Sequence, residues 1–247
     1  MRVENGRSIT AVHREGRRIT GASVDDGRTL KADHFVSNLD PMHLYGELMD
    51  PAPLAARVKH RLAQTSMGLF VLYFGTDCTY PDVAHHTIWL GDRYRELLRD
   101  IFDRRILSED FSLYLHRPTA TDASFAPEGH DSFYVLAPVP NLQGNIDWRV
   151  EGPRLQERMI EALEDSIMPG LRANVRSAVF MTPENFRENY QSVHGSGFSI
   201  APLFRQSAWF RFHKRAEGLR NLYLVGAGTH PGAGLPGVLS SAKVLDR

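Results

Sequence analysis

The chain has 247 residues, 42% hydrophobic and 23% charged, a composition of ordinary globular proteins and a length sufficient for one large or two small domains. Its 29 Lys and Arg balance 29 Asp and Glu, so no global basic field exists to hold nucleic acid. The single cysteine, Cys78, excludes an intrachain disulfide and fits a reducing compartment, and the longest apolar run, residues 67–74, falls far short of the ~20 residues of a membrane-spanning helix.

Asn5-Gly6, Glu15-Gly16 and Asp26-Gly27 punctuate three β-leaning runs at 8–13, 18–24 and 29–36, which predicts an antiparallel meander. The meander runs into Val36-Ser37-Asn38-Leu39-Asp40-Pro41, an apolar strand end followed by a polar turn, the pattern of a chain returning to a larger sheet. No charged-then-apolar leader opens the chain.

From Pro41 to about Tyr190 helical and strand-like segments alternate, with no repeat and no low-complexity tract. Residues 53–64, with Leu54, Val58 and Leu62, and residues 94–107, with Leu97, Leu98, Ile101 and Phe102, have the spacing of amphipathic helices. Residues 68–74, 86–90, 111–116 and 132–138 are aromatic and β-branched runs bounded by Gly, Pro and Asp, and read as strands of one sheet. The clearest helix is 153–168, with Pro153 in its first turn, a stripe of Leu155, Met159, Ile160, Leu163 and Ile167, and Pro169-Gly170 as its stop.

Chemistry-bearing patterns are sparse in this middle region. His85-His86, His116 and His130 show no Cys/His ligand spacing and no H-x-x-x-H pair, so no metal centre is expected. The chain lacks a G-x-S-x-G elbow, and Gly195-Ser196-Gly197 reads as a flexible turn, which argues against a serine hydrolase. The block 114–122 places His116, Arg117 and Asp122 at a strand end, either as acid–base and orienting groups of a pocket or as a solvated loop capped by Asp122 or Ser124. Phe198, Trp209, Phe210 and Phe212 read either as an apolar channel or as core.

The most informative stretch is NLYLVGAGTHPGAGLPGV, residues 221–238, with five glycines and two prolines directly behind an apolar strand-like run. Gly226, Gly228, Gly232, Gly234 and Gly237 let main-chain N–H groups face a ligand, and a helix predicted to begin near Gly237 presents a positive terminus to an anion or a flavin. G-x-G-x-x-G is met at Gly232, Gly234 and Gly237, but no strand and ribose-binding acid follow, so this is not the opening βαβ unit of a nucleotide domain. The alternative is a Gly/Pro-rich surface turn between strand and helix.

With that terminal motif stand FVLYFG at 70–75, AHHT at 84–87, RYREL at 93–97, EDFSLYLH at 109–116, YVLAPVP at 134–140, DWRVEGP at 147–153 and QSAWFR at 206–211. In these motifs, which cover nearly the whole chain in order, the sequence resembles the bacterial-type phytoene desaturases, FAD-dependent carotenoid desaturases of the amine-oxidase-like flavoprotein superfamily. The resemblance implies an α/β fold class: an α+β substrate domain at 41–190, and the C-terminal part of a Rossmann-like FAD-binding domain formed by a meander and returning strand at 1–40 and a closing segment at 191–247. The family's N-terminal nucleotide-binding βαβ unit is not found in this sequence, so the chain resembles the C-terminal half of such an enzyme, with a separate FAD-binding half as a candidate partner.

The implied reaction is desaturation of phytoene toward lycopene by hydride transfer from the polyene to flavin. The alternatives are a non-catalytic truncated fragment and a desaturase or ketolase of a related carotenoid. By position, Gly226, Ala227, Gly228 and Thr229 would meet the pyrophosphate–ribityl side of FAD, and Gly237 and Val238 the isoalloxazine. Thr229 stands where many flavoproteins place an acid, which leaves the ribitol contact weaker or differently supplied. Asp122 matches a family acid assigned to proton transfer or polyene alignment. A lipid-resident polyene implies a cytoplasmic protein peripherally associated with a membrane surface.

Overall fold

A computed structural model describes residues 2–246, which gather into two compact units. The first takes the residues up to Ser66, Gln191–Val193 and Phe198 onward; the second takes Met67–Tyr190 and His194–Gly197.

In the first unit, β1 (Ile9–Glu15), β2 (Arg18–Val24) and β3 (Thr29–Leu30) form the meander, antiparallel and in chain order. The third predicted run divides in two. Thr29 and Leu30 close the meander, while β4 (Phe35–Ser37) leaves it to lie parallel to β10 (Leu222–Leu224), with Leu222 opposite Phe35. That parallel pair carries the closing segment beside the turn at Asn38–Pro41. A short helix α1 (Pro41–His43), N-capped by Asp40 and continued by a π-turn (Leu44–Leu48), buries Met42, Leu44, Tyr45 and Leu48 against Ile19, Phe212, Leu222 and Leu224.

These contacts move the domain boundary. Residues 41–62 pack with the first unit, so the compact units divide at Ser66/Met67 rather than at Asp40/Pro41, because the apolar side chains after Pro41 bury against Ile19 and Phe212. The helix α2 (Leu54–Leu62) also differs from its periodicity: it buries Ala56, and Leu54, Val58 and Leu62 are exposed.

The second unit is a five-stranded antiparallel sheet in the order β6 (His86–Trp89), β7 (Leu113–His116), β8 (Asp131–Val139), β5 (Gly68–Thr76), β9 (Val175–Met181). Burial alternates residue by residue along β8, the period-2 pattern of a sheet with one covered face. On that face Phe70, Leu72, Leu113, Leu115, Phe133 and Val135 pack against α4 (Trp148–Ser166) through Leu155, Met159 and Leu163, and the Phe70 and Trp148 rings stack at 6.3 Å. The opposite face carries Tyr73, Ile88, Tyr114, Tyr134 and Val179, partly or largely exposed.

Helix α4 starts five residues before the proline that was expected to open it. Asp147 caps it by accepting the Arg149 N–H at 3.1 Å, and Pro153 lies inside. Shorter helices complete the unit: α3 (Tyr94–Arg99), which runs into a π-turn (Asp100–Arg104), α5 (Leu171–Asn174) and α6 (Pro183–Tyr190).

Candidate functional site

The terminal glycine-rich segment forms a tight turn between β10 and a nine-residue helix α7 (Leu235–Lys243). After Leu224, the Val225 N–H still donates to the Ser37 carbonyl at 2.9 Å, and Gly226 then turns the chain at φ +103°. The Gly226 N–H is engaged: it donates to Ser241 Oγ at 2.8 Å. Thr229 is fully buried and donates through both its N–H, at 3.3 Å, and its hydroxyl, at 3.0 Å, to the Gly226 carbonyl. Of the four residues expected on the pyrophosphate–ribityl side, Gly226 and Thr229 therefore have their N–H groups engaged within the turn itself. Gly226 and Thr229 lock the turn, and their polar groups do not face outward.

Ala227 and Gly228 behave differently. Neither N–H has an acceptor among the described residues, although Gly228 is buried and Ala227 half-buried. A buried unpaired amide is rare in native structures, so this pair of donors is where an external acceptor fits. Gly228 is glycine because a Cβ would lie 2.3 Å from Pro41 Cδ and 2.7 Å from Ser199 Oγ.

The helix after the turn begins at Leu235, two residues before Gly237. Val238 donates its N–H to the Gly234 carbonyl at 2.9 Å, the first intrahelical bond, so Val238 is corrected from an open donor to a helix-internal one. Leu235 and Gly237 keep first-turn N–H groups without intrahelical acceptors, and Pro236 has none. A Cβ on Gly237 would stand 2.6 Å from the Gly232 carbonyl, so this glycine allows the helix to seat on its own turn.

The sequence pattern did not single out Arg211, which the structure brings to the same turn. It is 3% exposed, and its guanidinium donates to the Ala227 carbonyl from Nε at 3.2 Å and Nη2 at 2.5 Å. Burial lowers its pKa, opposed by the Asp40 carboxylate. A fixed buried cation, two free amides and a helix start give the turn the electrostatics of an anion-binding site. The signal available in sequence was membership of Arg211 in the QSAWFR motif.

In the second unit, Asp122 is an exposed cap. Its carboxylate accepts the Ser124 N–H at 2.9 Å over a 3₁₀ turn (Ala123–Phe125), and the Ser124 side chain, then its N–H, hold the Asp122 pKa below the usual carboxylate range. The structure shows Asp122 as a capping residue, and a carboxylate kept ionised in this way is a poor proton donor although it can still accept a proton. The 114–122 block also disperses. Arg117 donates to the Tyr80 carbonyl and lies 3.9 Å from buried Asp131, which in turn accepts the Tyr80 N–H at 2.7 Å and the Thr119 hydroxyl. Of the aromatic quartet, Phe212 is core while Trp209 and Phe210 are exposed.

Beside the open face of the sheet lies a cleft of about 650 Å³, lined by Tyr73, Phe125, Pro127, Phe133, Tyr134 and Val179 among others. Desolvation pushes the Tyr134 hydroxyl up to about 12, so it stays neutral. The cleft is an apolar, aromatic surface fit for a hydrocarbon.

The model of the family described as flavin containing amine oxidoreductase matches residues 2–244. The phytoene desaturase (lycopene-forming) of Pantoea ananas is 48% identical over 238 residues, which cover 95% of this chain and 48% of the relative. A protein of the same description from a Paracoccus species is 50% identical over the same shares. The phytoene desaturase (neurosporene-forming) of Rhodobacter capsulatus is 45% identical, over 95% of this chain and 46% of the relative. The chain spans about half the length of the curated relatives it matches. Among solved structures, an oxidoreductase from Methanosarcina mazei shares the fold with a TM-score of 0.61 at 18% identity, over 98% of this chain and 49% of that one. Cyclohexylamine oxidase from Brevibacterium oxydans does so at 0.55 and 12%, over 97% and 49%.

Proposed function

Since the chain belongs to the flavin containing amine oxidoreductase family, we propose that it serves FAD-dependent desaturation of a carotenoid precursor, phytoene toward lycopene, contributing the substrate-side sheet and the closing turn of the cofactor site. The observation that carries the substrate class is the apolar cleft on the open face of the second unit. The names of relatives at 48–50% identity support phytoene as the polyene within that class. A complementary FAD-binding segment, in the same polypeptide or a separate one, is part of the proposal.

FAD, when bound, supplies the hydride acceptor. The residues of this chain would hold it through the free N–H groups of Ala227 and Gly228 and the first-turn N–H groups of Leu235 and Gly237, with Arg211 adding a fixed positive charge. Tyr73, Phe125, Tyr134 and Val179 would align the polyene by apolar contact and exclude water from it. We place the protein in the cytoplasm at a lipid surface, because its substrate is lipid-borne and the single cysteine fits a reducing compartment. No helix among the described residues is long and apolar enough to cross a membrane.

The test is to express the chain with and without the N-terminal half of the Pantoea ananas relative, load FAD, desalt, and supply phytoene in liposomes. Retained flavin and conversion to a coloured polyene with the complement present is the expected result. Flavin retention without any loss of phytoene would remove the substrate assignment. Failure to retain flavin under either condition would remove the cofactor assignment.

A further inference from the structure

The sequence offers no linear metal-ligand spacing, yet strand pairing gathers three imidazoles at the open edge of the five-stranded sheet. His86 and His116 are direct cross-strand partners on β6 and β7, their rings stacked at 5.1 Å and 17°. His85 precedes β6, and its carbonyl accepts the Arg117 N–H at 2.9 Å, which extends the ladder by one rung and fixes its backbone. The His85 and His116 rings lie 4.7 Å apart with their Nε2 atoms 2.8 Å from one another. Each of the three residues offers a ring nitrogen within 4.8 Å of the others.

We propose that His85, His86 and His116 form a binding site for a divalent transition-metal ion of the imidazole-preferring class, with Zn²⁺ as its representative. The three histidines belong to the second unit and the cofactor turn to the first, and the site does not depend on the proposed desaturase activity.

Two features of the surroundings suit ligation. First, His85 Nδ1 is paired with the Thr121 hydroxyl and His86 Nδ1 with the Tyr114 hydroxyl at 2.8 Å. With those nitrogens protonated and donating, both Nε2 atoms present lone pairs, and the hydroxyls act as the outer partners that orient metal-bound histidines. Second, ligands at the usual Zn–N distance of 2.0–2.1 Å stand about 3.3 Å apart around a tetrahedral ion. The Nε2 pair must open by about half an ångström and exposed His86 must close on it, both within reach of small χ rotations. Three neutral ligands leave a fourth position for water or an anion. An ion there would tie the edge strand β6 to the end of β7 and, through Thr121, to the following loop.

The test uses the tag-free chain, stripped with chelator and titrated with Zn²⁺ by calorimetry, with Co²⁺ substitution to read coordination from its visible absorption. The expected result is one ion per chain and a four-coordinate Co²⁺ spectrum. His86→Gln, an exposed substitution that spares the core, should weaken binding by about tenfold or more, as should the loss of an outer partner in Thr121→Ala. The double variant His85→Gln/His116→Gln should abolish binding, and His130→Gln should leave it unchanged. Absence of stoichiometric uptake by the parent chain would overturn the site. So would uptake that His86→Gln leaves intact, whether or not the double variant folds.

Discussion

Ser241 on the last helix accepts the N–H of Gly226 at 2.8 Å while its own hydroxyl donates to the Val238 carbonyl at 2.6 Å. One buried side chain thus fastens the far end of helix α7 to the point where the chain leaves β10, so the free amides of Ala227 and Gly228 and the helix start are held by the same bond. Ser241→Ala leaves the buried Gly226 N–H without an acceptor. The expected cost is about 1–3 kcal/mol of stability, read from denaturant midpoints, with a matching fall in flavin retained by the complemented protein. Unchanged stability and retention would show that the turn is held by packing alone.

The glycines of the closing turn separate into two physical kinds, and substitution distinguishes them. Gly228→Ala drives a methyl to within 2.3 Å of the Pro41 ring, so either α1 or the turn must shift, with an expected loss of about 1–3 kcal/mol from overpacking. Gly234→Ala meets nothing within 4 Å, and its cost comes from the backbone, whose φ of +94° with ψ of 144° is close to a region that is essentially glycine's alone, about 1–3 kcal/mol. The prediction is that both variants lose thermal stability; a Gly228→Ala protein as stable as the parent would mean that the turn yields to the Pro41 ring without cost, and an unchanged Gly234→Ala that the backbone relaxes out of its positive φ.

What the sequence disclosed and what it withheld follow from the range of each interaction. The meander was legible because Gly16 and Gly27 close tight turns between its strands, and the four middle strands were legible as aromatic and β-branched runs bounded by Gly, Pro and Asp, with burial that alternates along β7 and β8. Strand β9 was missed because it is exposed along most of its length and shows no alternation. The start of α4 is obscured in sequence because Pro153 has the character of a first-turn proline, while the helix opens at the Asp147 cap. At the turn, the glycine pattern located the site but not its donors: whether an amide is free depends on partners far along the chain, Ser241 for Gly226 and Pro41 for the packing of Gly228. The histidine cluster was hidden for a related reason, since 31 residues separate His85 from His116 and only the β6–β7 register joins them.

Asp122 provides a test between a chemical and a structural carboxylate. Its hydrogen bond to the Ser124 amide is a capping contact that a serine side chain also makes. Asp122→Ser in the complemented enzyme is therefore expected to keep phytoene turnover within about twofold of the parent, while Asp122→Ala loosens the 3₁₀ turn as judged by hydrogen exchange at Ser124 and Phe125. A tenfold or greater fall in turnover for Asp122→Ser, with the fold intact, would restore the carboxylate to the chemistry.

Acid lability of the second unit should trace in part to Asp100. The carboxylate is 4% exposed, at the head of the π-turn that follows α3, and the Arg104 guanidinium 2.6 Å away holds it below the usual carboxylate range. A carboxyl with a lowered folded pKa binds fewer protons folded than unfolded, so its stabilisation is complete above the unfolded value of about 3.9 and is lost as pH falls through the folded value. Arg104 is half exposed and shared with Glu96 at 3.0 Å, which keeps the contribution on the order of 1 kcal/mol and sensitive to salt. Asp100→Asn should therefore lower the urea midpoint of the second unit at pH 7, by less in 1 M salt, and the gap from the parent should stay constant between about pH 5 and 8 and narrow below pH 4. A gap that persisted at pH 3 would mean that Asp100 stabilises the turn through its shape and hydrogen bonding, with no contribution from its charge.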